Sequence, residues 1–222
     1  MEHKRITLFA GHYGSGKTNI AVNYAIRLAD EGKTVSIADL DIVNPYFRTK
    51  DSEEELRARG IELISPRYAN SNVDLPALPP ESYRPVQDKS VFGVLDIGGD
   101  DRGAYALGRF AATILAEGDY RMAFVANCYR PMTATVEGAM EIMREVEAAA
   151  GMKFTCIVNN SNLGKETTPE TLLASLPYID RLCEVSGLPL WMHTAEARVA
   201  REITGIPVMP LTLQKKYFDL PD

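Results

Sequence analysis

Apolar runs of strand length alternate with amphipathic stretches along most of the chain. The apolar runs occupy residues 5–10, 34–39, 61–65, 91–97, 121–127, 154–160 and 188–193. Because these runs are nearly continuous instead of alternating with polar residues, they predict strands buried on both faces of a parallel sheet. Helical patterns lie between several of them, at residues 17–31, 52–59, 133–150 and 169–186. This order predicts an α/β fold in which a mostly parallel central sheet carries helices on both faces.

One stretch, residues 65–89, breaks this rhythm. It is rich in proline and shows little periodicity. A loop of this length inside a compact domain is uncommon and is often functional. An ordinary surface connection explains it equally well, so the sequence leaves its role open.

The composition fits one globular domain that spans residues 1–222. The net charge of −6 is spread without a basic block, which argues against nucleic acid as a partner. No apolar run reaches the length of a membrane span, and the chain does not begin with a signal peptide. Three cysteines far apart in sequence are typical of reduced thiols. We therefore expect a cytoplasmic protein that binds neither nucleic acid nor a membrane.

The segment AGHYGSGKTN, residues 10–19, matches the phosphate-binding pattern G-x-x-x-x-G-K-[ST], known as the P-loop. Its glycines leave room for backbone N–H groups to approach a phosphate, and the helix that follows adds the positive end of its dipole. Lys17 supplies a charge to the β- and γ-phosphates, and Thr18 offers a hydroxyl to Mg²⁺. The predicted nucleotide-binding residues of this segment are Gly11, His12, Tyr13, Gly14, Ser15, Gly16, Lys17, Thr18 and Asn19.

Polar residues also follow other predicted strands. Asp39 and Asp41 end the second apolar run, and Asp96 lies near the end of the run at 91–97. Because the carboxyl ends of parallel strands meet at one edge of the sheet, these carboxylates are expected beside the P-loop. Thr18, Asp39 and Asp96 are the predicted Mg²⁺ site. Each aspartate taken alone is also compatible with a helix cap or a solvated turn, but their convergence favours a nucleotide site.

Three motifs together, AGHYGSGKTN, IADLDIVNPYFR and LDIGGDD, resemble the P-loop ATPases of the MinD/ParA type, also called the CobQ/CobB/MinD/ParA nucleotide-binding family. The resemblance covers nearly the whole chain and implies a three-layer P-loop NTPase fold. It implies that Asp39 holds a Mg²⁺-bound water and that Asp41 orients the attacking water. With Lys17, these are the predicted catalytic residues. It also implies that Asp96 and Gly99 sense the γ-phosphate, with Gly99 as a switch residue.

The resemblance also concerns the base. It implies that Asn159 or Asn160 reads adenine, while the backbone of residues 193–196 flanks the ring. No N-K-x-D sequence, which gives GTPases their guanine specificity, follows the predicted strand at 154–158. The predicted cofactors are therefore ATP and Mg²⁺.

The P-loop departs from the MinD/ParA pattern at two positions. Many members carry a lysine directly after the first glycine, and this lysine reaches the nucleotide of a partner subunit. Here that position is His12, and Tyr13 follows where glycine is common. The hypothesis is that His12 is a weaker, pH-sensitive substitute in an ATP-dependent homodimer. The alternative is that His12 only lines the pocket of a monomer or of a dimer built elsewhere.

The expected function is a slow Mg²⁺-dependent ATPase that acts as a nucleotide switch for an unknown protein partner or cargo. ATP would reshape the loop 41–48, where the aromatic residues of NPYFR (44–48) form either a partner surface or part of the core. The alternative is an ATP-dependent phosphotransferase or ligase on a small acid, similar to dethiobiotin synthetase, with Arg67 and Arg84 of the loop 66–85 covering the substrate. A binding module without catalysis is disfavoured by Asp39 and Asp41.

Overall fold

A single sheet of parallel strands organises the chain, and the computed structural model describes residues 3–40, 49–64, 83–99 and 101–213. The described part contains eight strands in the order β3-β2-β4-β1-β5-β6-β7-β8. Every neighbouring pair is parallel, which confirms the predicted α/β sheet. The strands are β1 (Ile6–Ala10), β2 (Val35–Leu40), β3 (Glu62–Ile64), β4 (Phe92–Ile97), β5 (Tyr120–Ala126), β6 (Cys156–Asn159), β7 (Leu190–Glu196) and β8 (Val208–Leu211).

Helices cover both faces of this sheet. Successive residues of β1 show the two sides, since Leu8 packs into one hydrophobic cluster with the helices at 101–117 and 136–150, whereas Phe9 packs into another with the helix at 17–30. Strand residues point alternately to opposite faces, so burial on both sides requires the near-continuous apolar runs seen in the sequence. The helices are α1 (Lys17–Asp30), α2 (Glu53–Ala58), α3 (Arg84–Gln87), α4 (Asp101–Glu117), α5 (Val136–Ala150), α6 (Pro169–Ala174), α7 (Leu176–Ser186) and α8 (Ala197–Ala200).

The single helix predicted at 169–186 is two helices, α6 and α7. Pro177 lies in the first turn of α7 and has no backbone N–H to continue the bonding of α6. Ser175 occupies the break and is buried, with its hydroxyl donating to the Leu172 carbonyl at 2.6 Å. The break places this hydroxyl beneath the end of β6, where it meets the candidate site.

The sequence patterns did not predict four elements of the structure, namely α3, α4, α8 and β8. The largest is α4, whose helical pattern is interrupted by Gly103 and Gly108. Gly108 faces α5, where an added Cβ would lie at van der Waals distance, 3.6 Å, from the carbonyl oxygen of Ala149. Strand β8 contains Pro210, which is tolerated because β8 lies at the edge of the sheet. None of the helices in the described ranges is both long and apolar enough to span a bilayer.

Candidate nucleotide-binding site

The P-loop connects β1 to α1 at the carboxyl edge of the sheet. Gly11, Gly14 and Gly16 have φ angles of 148°, 75° and 91°, a region that favours glycine. A Cβ on Gly11 would lie 2.8 Å from the carbonyl oxygen of Val125 in β5, and one on Gly16 would lie 2.2 Å from Nδ2 of Asn160. The glycines therefore allow both the turn and its close contact with the neighbouring strands.

Polar groups inside the loop suit an anionic ligand. Lys17 is buried, and its ammonium group donates a hydrogen bond to the carbonyl oxygen of His12 at 3.1 Å. The Ser15 hydroxyl is fully buried and has no hydrogen-bond partner among the described residues. The backbone of α1 begins at Lys17, so its N-terminal N–H groups lie at the same end of the sheet. A cation, a buried hydroxyl and a helix N-terminus together fit a phosphate group.

Two of the predicted carboxylates lie side by side at the ends of adjacent strands. Asp39 and Asp96 are register partners in the β2–β4 pair, and both are almost completely buried. Thr49, which the sequence analysis missed, donates its hydroxyl to Oδ2 of Asp96 at 3.2 Å. With the hydroxyl of Thr18, these oxygens are the hard donors that Mg²⁺ prefers.

No group of three or more His, Cys, Asp and Glu side chains is placed to hold a metal ion within residues 3–40, 49–64, 83–99 and 101–213. Mg²⁺ in nucleotide sites is typically held by few protein oxygens together with water and phosphate. The residues present therefore fit a Mg²⁺ ion that comes with its nucleotide.

The segment after β4 touches the P-loop. A Cβ on Gly99 would lie 2.6 Å from the backbone nitrogen of Tyr13 and 3.0 Å from Nζ of Lys17. Only a residue without a side chain permits this approach. The P-loop and the segment that follows β4 are therefore in direct contact.

The two asparagines at the end of β6 serve inside the protein. Asn160 donates from Nδ2 to the carbonyl oxygen of Ser15 at 2.7 Å, and its Oδ1 accepts from the Thr194 hydroxyl at 2.8 Å. Thr194 of β7 is fully buried, so this chain of bonds joins β7 and β6 to the P-loop. Asn160 is thus a brace beneath the loop.

Asn159 belongs to a second buried group. Its Nδ2 donates to the Ser175 hydroxyl at 2.9 Å and lies 3.1 Å from Nδ1 of His193, while its Oδ1 accepts from the backbone of Ser161. Burial lowers the pKa of His193, which favours the neutral ring that can accept this bond. Both asparagine amides are engaged, and the adenine-reading role expected of one of them stays a prediction.

Other predicted residues lie apart from these contacts or outside the described ranges. His12 donates from Nδ1 to the Tyr13 carbonyl at 3.0 Å, and the Tyr13 side chain is 51% exposed. Asn19 lies in the first turn of α1. Asp41, the loop 41–48 and residues 65–82 lie outside the described residues. Arg84, proposed to cover a small acid, forms ion pairs with Glu62 and Asp88 instead.

A guanidinium group that the sequence analysis missed lies against the P-loop. Nε and Cζ of Arg130, in the connection after β5, lie 3.6 and 3.7 Å from the position of a Cβ on Gly14. A single arginine in a loop carries no sequence signal. Only the fold brings it to this place.

The parallel sheet, the P-loop between β1 and α1 and the carboxylates on β2 and β4 define the fold of a P-loop nucleoside triphosphatase. Several solved structures of other proteins have a similar fold. FtsY of Thermotoga maritima, a cell division protein, is 16% identical with a TM-score of 0.60, covering 86% of this chain and 61% of its own. The 54 kDa protein of the signal recognition particle from Aeropyrum pernix K1, in complex with GDP, is 16% identical with a TM-score of 0.53, covering 86% and 41%.

A third neighbour is the signal recognition particle receptor FtsY of Elizabethkingia anophelis in complex with GDP, 13% identical with a TM-score of 0.53, covering 87% of this chain and 58% of its own. The chain thus spans at most 61% of the length of these three neighbours. Neither protein-family models nor curated protein sequences give a match. At these identities the likeness establishes the fold alone.

The resemblance to the MinD/ParA type is corrected by these neighbours, which are GTPases of the signal recognition particle family, a different P-loop family. The physical reason is that the motifs behind the resemblance serve phosphate and Mg²⁺, and this chemistry is common to many P-loop proteins. The motifs therefore locate a site without distinguishing families. The hypothesis of His12 acting across a dimer was drawn from that resemblance and stays a prediction.

Proposed function

We propose that this chain is a Mg²⁺-dependent P-loop nucleoside triphosphatase that works as a nucleotide-controlled switch. The observation that carries the proposal is the contact of Gly99 with both Tyr13 and Lys17. A nucleotide that binds Lys17 must compete with its bond to the His12 carbonyl and must alter the surroundings of Gly99. The nucleotide state is then communicated to α4, the large helix after β4.

The roles of the residues follow from their chemistry. The P-loop backbone and Lys17 would hold the phosphates, and the Ser15 hydroxyl has a hydrogen bond to offer them. Thr18, Asp39 and Asp96 would hold Mg²⁺ directly or through water, and the bound ion would neutralise charge on the phosphates. Asp41 remains the predicted residue that orients the attacking water.

GTP is the first nucleotide to test. Two of the structural neighbours were solved in complex with GDP, which supports a guanine nucleotide here. The partners of such a switch are not indicated by the likeness, and a protein partner or a homodimer remains a prediction.

ATP, the nucleotide expected from the sequence, is the second candidate because of one observation. The N-K-x-D carboxylate would fall at residue 163 if Asn160 is its asparagine, and residue 163 is an exposed leucine. The preceding Asn162 closes its own turn, donating to the Asn160 carbonyl and accepting from the backbone of Gly164. This segment supplies no carboxylate for the guanine edge.

The test is calorimetric titration with GTPγS, GDP, ATPγS and ADP in the presence of Mg²⁺, followed by phosphate release from GTP and ATP. We expect one purine pair to bind and its triphosphate to be hydrolysed slowly. Lys17→Ala should weaken binding about tenfold or more, since a charge-assisted phosphate contact is lost. Asp96→Ala should reduce both binding and turnover through Mg²⁺. A wild-type protein that binds none of the four nucleotides contradicts the proposal.

The switch is tested separately by hydrogen exchange. Residues 97–105 should exchange at different rates with the diphosphate and with the non-hydrolysable triphosphate. Equal exchange in the two states, with both nucleotides bound, would leave a nucleotide hydrolase without a switch in this segment.

A further inference from the structure

Arg130 occupies the open side of the P-loop. Its side chain is exposed, yet Nε and Cζ lie 3.6 and 3.7 Å from the position of a Cβ on Gly14. Gly14 is exposed as well, so the guanidinium borders the space from which a ligand enters. The guanidinium is thus at van der Waals distance from the surface of the P-loop at position 14.

The turn that carries Arg130 is firmly held. Its first residue, Asn127, is fully buried, and the Asn127 carbonyl accepts from the Arg130 backbone at 3.2 Å and from the Thr133 hydroxyl at 2.7 Å. The Tyr129 hydroxyl donates to the Thr171 carbonyl at 2.8 Å, which ties the turn to α6. The arginine is thus presented on a supported backbone, which lowers the entropy lost when its side chain binds.

Among the residues that the structure describes, no carboxylate neutralises the Arg130 guanidinium. Within the described part of the chain, Arg130 forms no ion pair, although at least nine other arginines and lysines do so, as in the Arg181–Glu184 and Lys153–Glu147 pairs. A guanidinium stays charged at any ordinary pH and matches phosphate oxygens with two parallel N–H groups. Because Arg130 lies beside a loop suited to phosphate, a phosphate bound there would be the anion that pairs with its charge.

The sheet order indicates which phosphates it meets. β1 lies between β4 and β5, so the segments after these strands approach the P-loop from opposite sides. On the β4 side, Gly99 lies against Tyr13 and Lys17, and the P-loop lysine serves the β- and γ-phosphates. Arg130 comes from the β5 side, away from Gly99. It therefore faces the part of the phosphate chain nearer the nucleoside.

We infer that Arg130 is a further nucleotide-binding residue, which contacts the phosphates that nucleoside diphosphates and triphosphates share. The inference rests on the proposed nucleotide-binding function. On this inference, part of the affinity for nucleotide comes from Arg130, a single arginine that belongs to no sequence motif. Without Arg130, the P-loop alone would supply that affinity.

The experiment compares wild type with Arg130→Ala, Arg130→Lys and the matched control Arg144→Ala. Arg144 lies on α5, is exposed, and gives the same change of net charge. The dissociation constants of GDP and GTPγS are measured by calorimetry with Mg²⁺ at two salt concentrations, or those of ADP and ATPγS if wild type binds adenine nucleotides. Circular dichroism melts verify that each variant is folded.

We expect Arg130→Ala to weaken the binding of the diphosphate and of the triphosphate by a similar factor, about tenfold, because a charge-assisted contact to the phosphates they share is lost. The affinity of Arg130→Lys should fall between those of wild type and Arg130→Ala, since the charge stays but the paired N–H groups are lost. Arg144→Ala should bind as wild type. Wild-type affinity in folded Arg130→Ala, or a loss confined to the triphosphate, overturns the inference. A wild type that binds no nucleotide contradicts instead the proposed function on which the inference rests.

Discussion

Single residues in this protein act through hydrogen bonds that join distant parts of the chain. The clearest case is Asn160, whose amide bonds the Ser15 carbonyl on one side and the Thr194 hydroxyl on the other. Gly16 lies directly above the same amide, so no larger residue would fit there. A phosphate-binding loop must keep its backbone in one conformation. Here the side chains that hold this conformation come from β6 and β7, beneath the loop.

The substitution Thr194→Val tests this support of the loop by removing one hydroxyl group. The valine keeps the shape but leaves Oδ1 of Asn160 buried without its donor, which should lower the free energy of unfolding by about 1–3 kcal/mol. Nucleotide affinity should fall as well, because the loop held by Asn160 becomes less defined. Urea denaturation and calorimetry measure the two effects. Thr212→Val, at an exposed position, is the control and should change neither; a Thr194→Val protein of wild-type stability would contradict the brace.

Whole elements are held in place by a charged cluster at the opposite edge of the sheet. Arg5, just before β1, is buried and donates to backbone carbonyls around α3, those of Pro85, Val86, Asp88 and Val91. It also pairs with Glu117 at the end of α4, and hydrogen bonding from Arg5 lowers the pKa of that carboxyl. One guanidinium thus links β1, α3 and α4.

This pair predicts a pH dependence of stability. Because the pKa of Glu117 is lower in the folded protein than the ordinary value of about 4.3, its contribution is present above that value and is lost as pH falls through the folded pKa. Glu117→Gln should lower the free energy of unfolding at pH 7 by about 1.5–3 kcal/mol. The difference from wild type should vanish in acid, where both side chains are neutral.

Urea denaturation between pH 3 and pH 7 measures this dependence. Glu184→Gln removes the exposed pair with Arg181 and should cost no more than about 0.5 kcal/mol. Parallel stability curves for wild type and Glu117→Gln across the whole range would show that the Glu117 charge does not contribute.

At the scale of the whole molecule, the site draws on elements from both halves of the sheet. The P-loop follows β1, the carboxylates belong to β2 and β4, and the supporting groups come from β5, β6 and β7. A ligand that contacts this many elements stabilises the folded state as a unit, because binding favours only the conformation in which the elements are assembled.

Bound nucleotide should therefore raise the thermal stability of the entire chain. At a free concentration one hundred times the dissociation constant, the expected gain is about 2.7 kcal/mol. Differential scanning calorimetry with the preferred nucleotide and Mg²⁺ measures it, and EDTA should reduce the gain because the site loses its metal. Lys17→Ala, with its affinity lowered about tenfold, should gain only about 1.4 kcal/mol at the same nucleotide concentration. The same rise in both proteins would mean that the nucleotide binds elsewhere.

The sequence by itself determined the parallel sheet, the helices on its two faces and the position of the P-loop. These features depend on short-range properties, namely the period of apolar residues and the spacing of glycines and Lys17, which can be read along the chain. Only the tertiary structure decided which side chains surround the loop. Thr49 and Arg130 reach the site from segments far apart in sequence, and no local pattern marks them. His193 and Thr194 belong to the segment that the resemblance assigned to the base, but only the fold shows that their side chains contact Asn159 and Asn160. The likeness to the solved structures also required the fold, because phosphate chemistry imposes the same short motifs on different P-loop families.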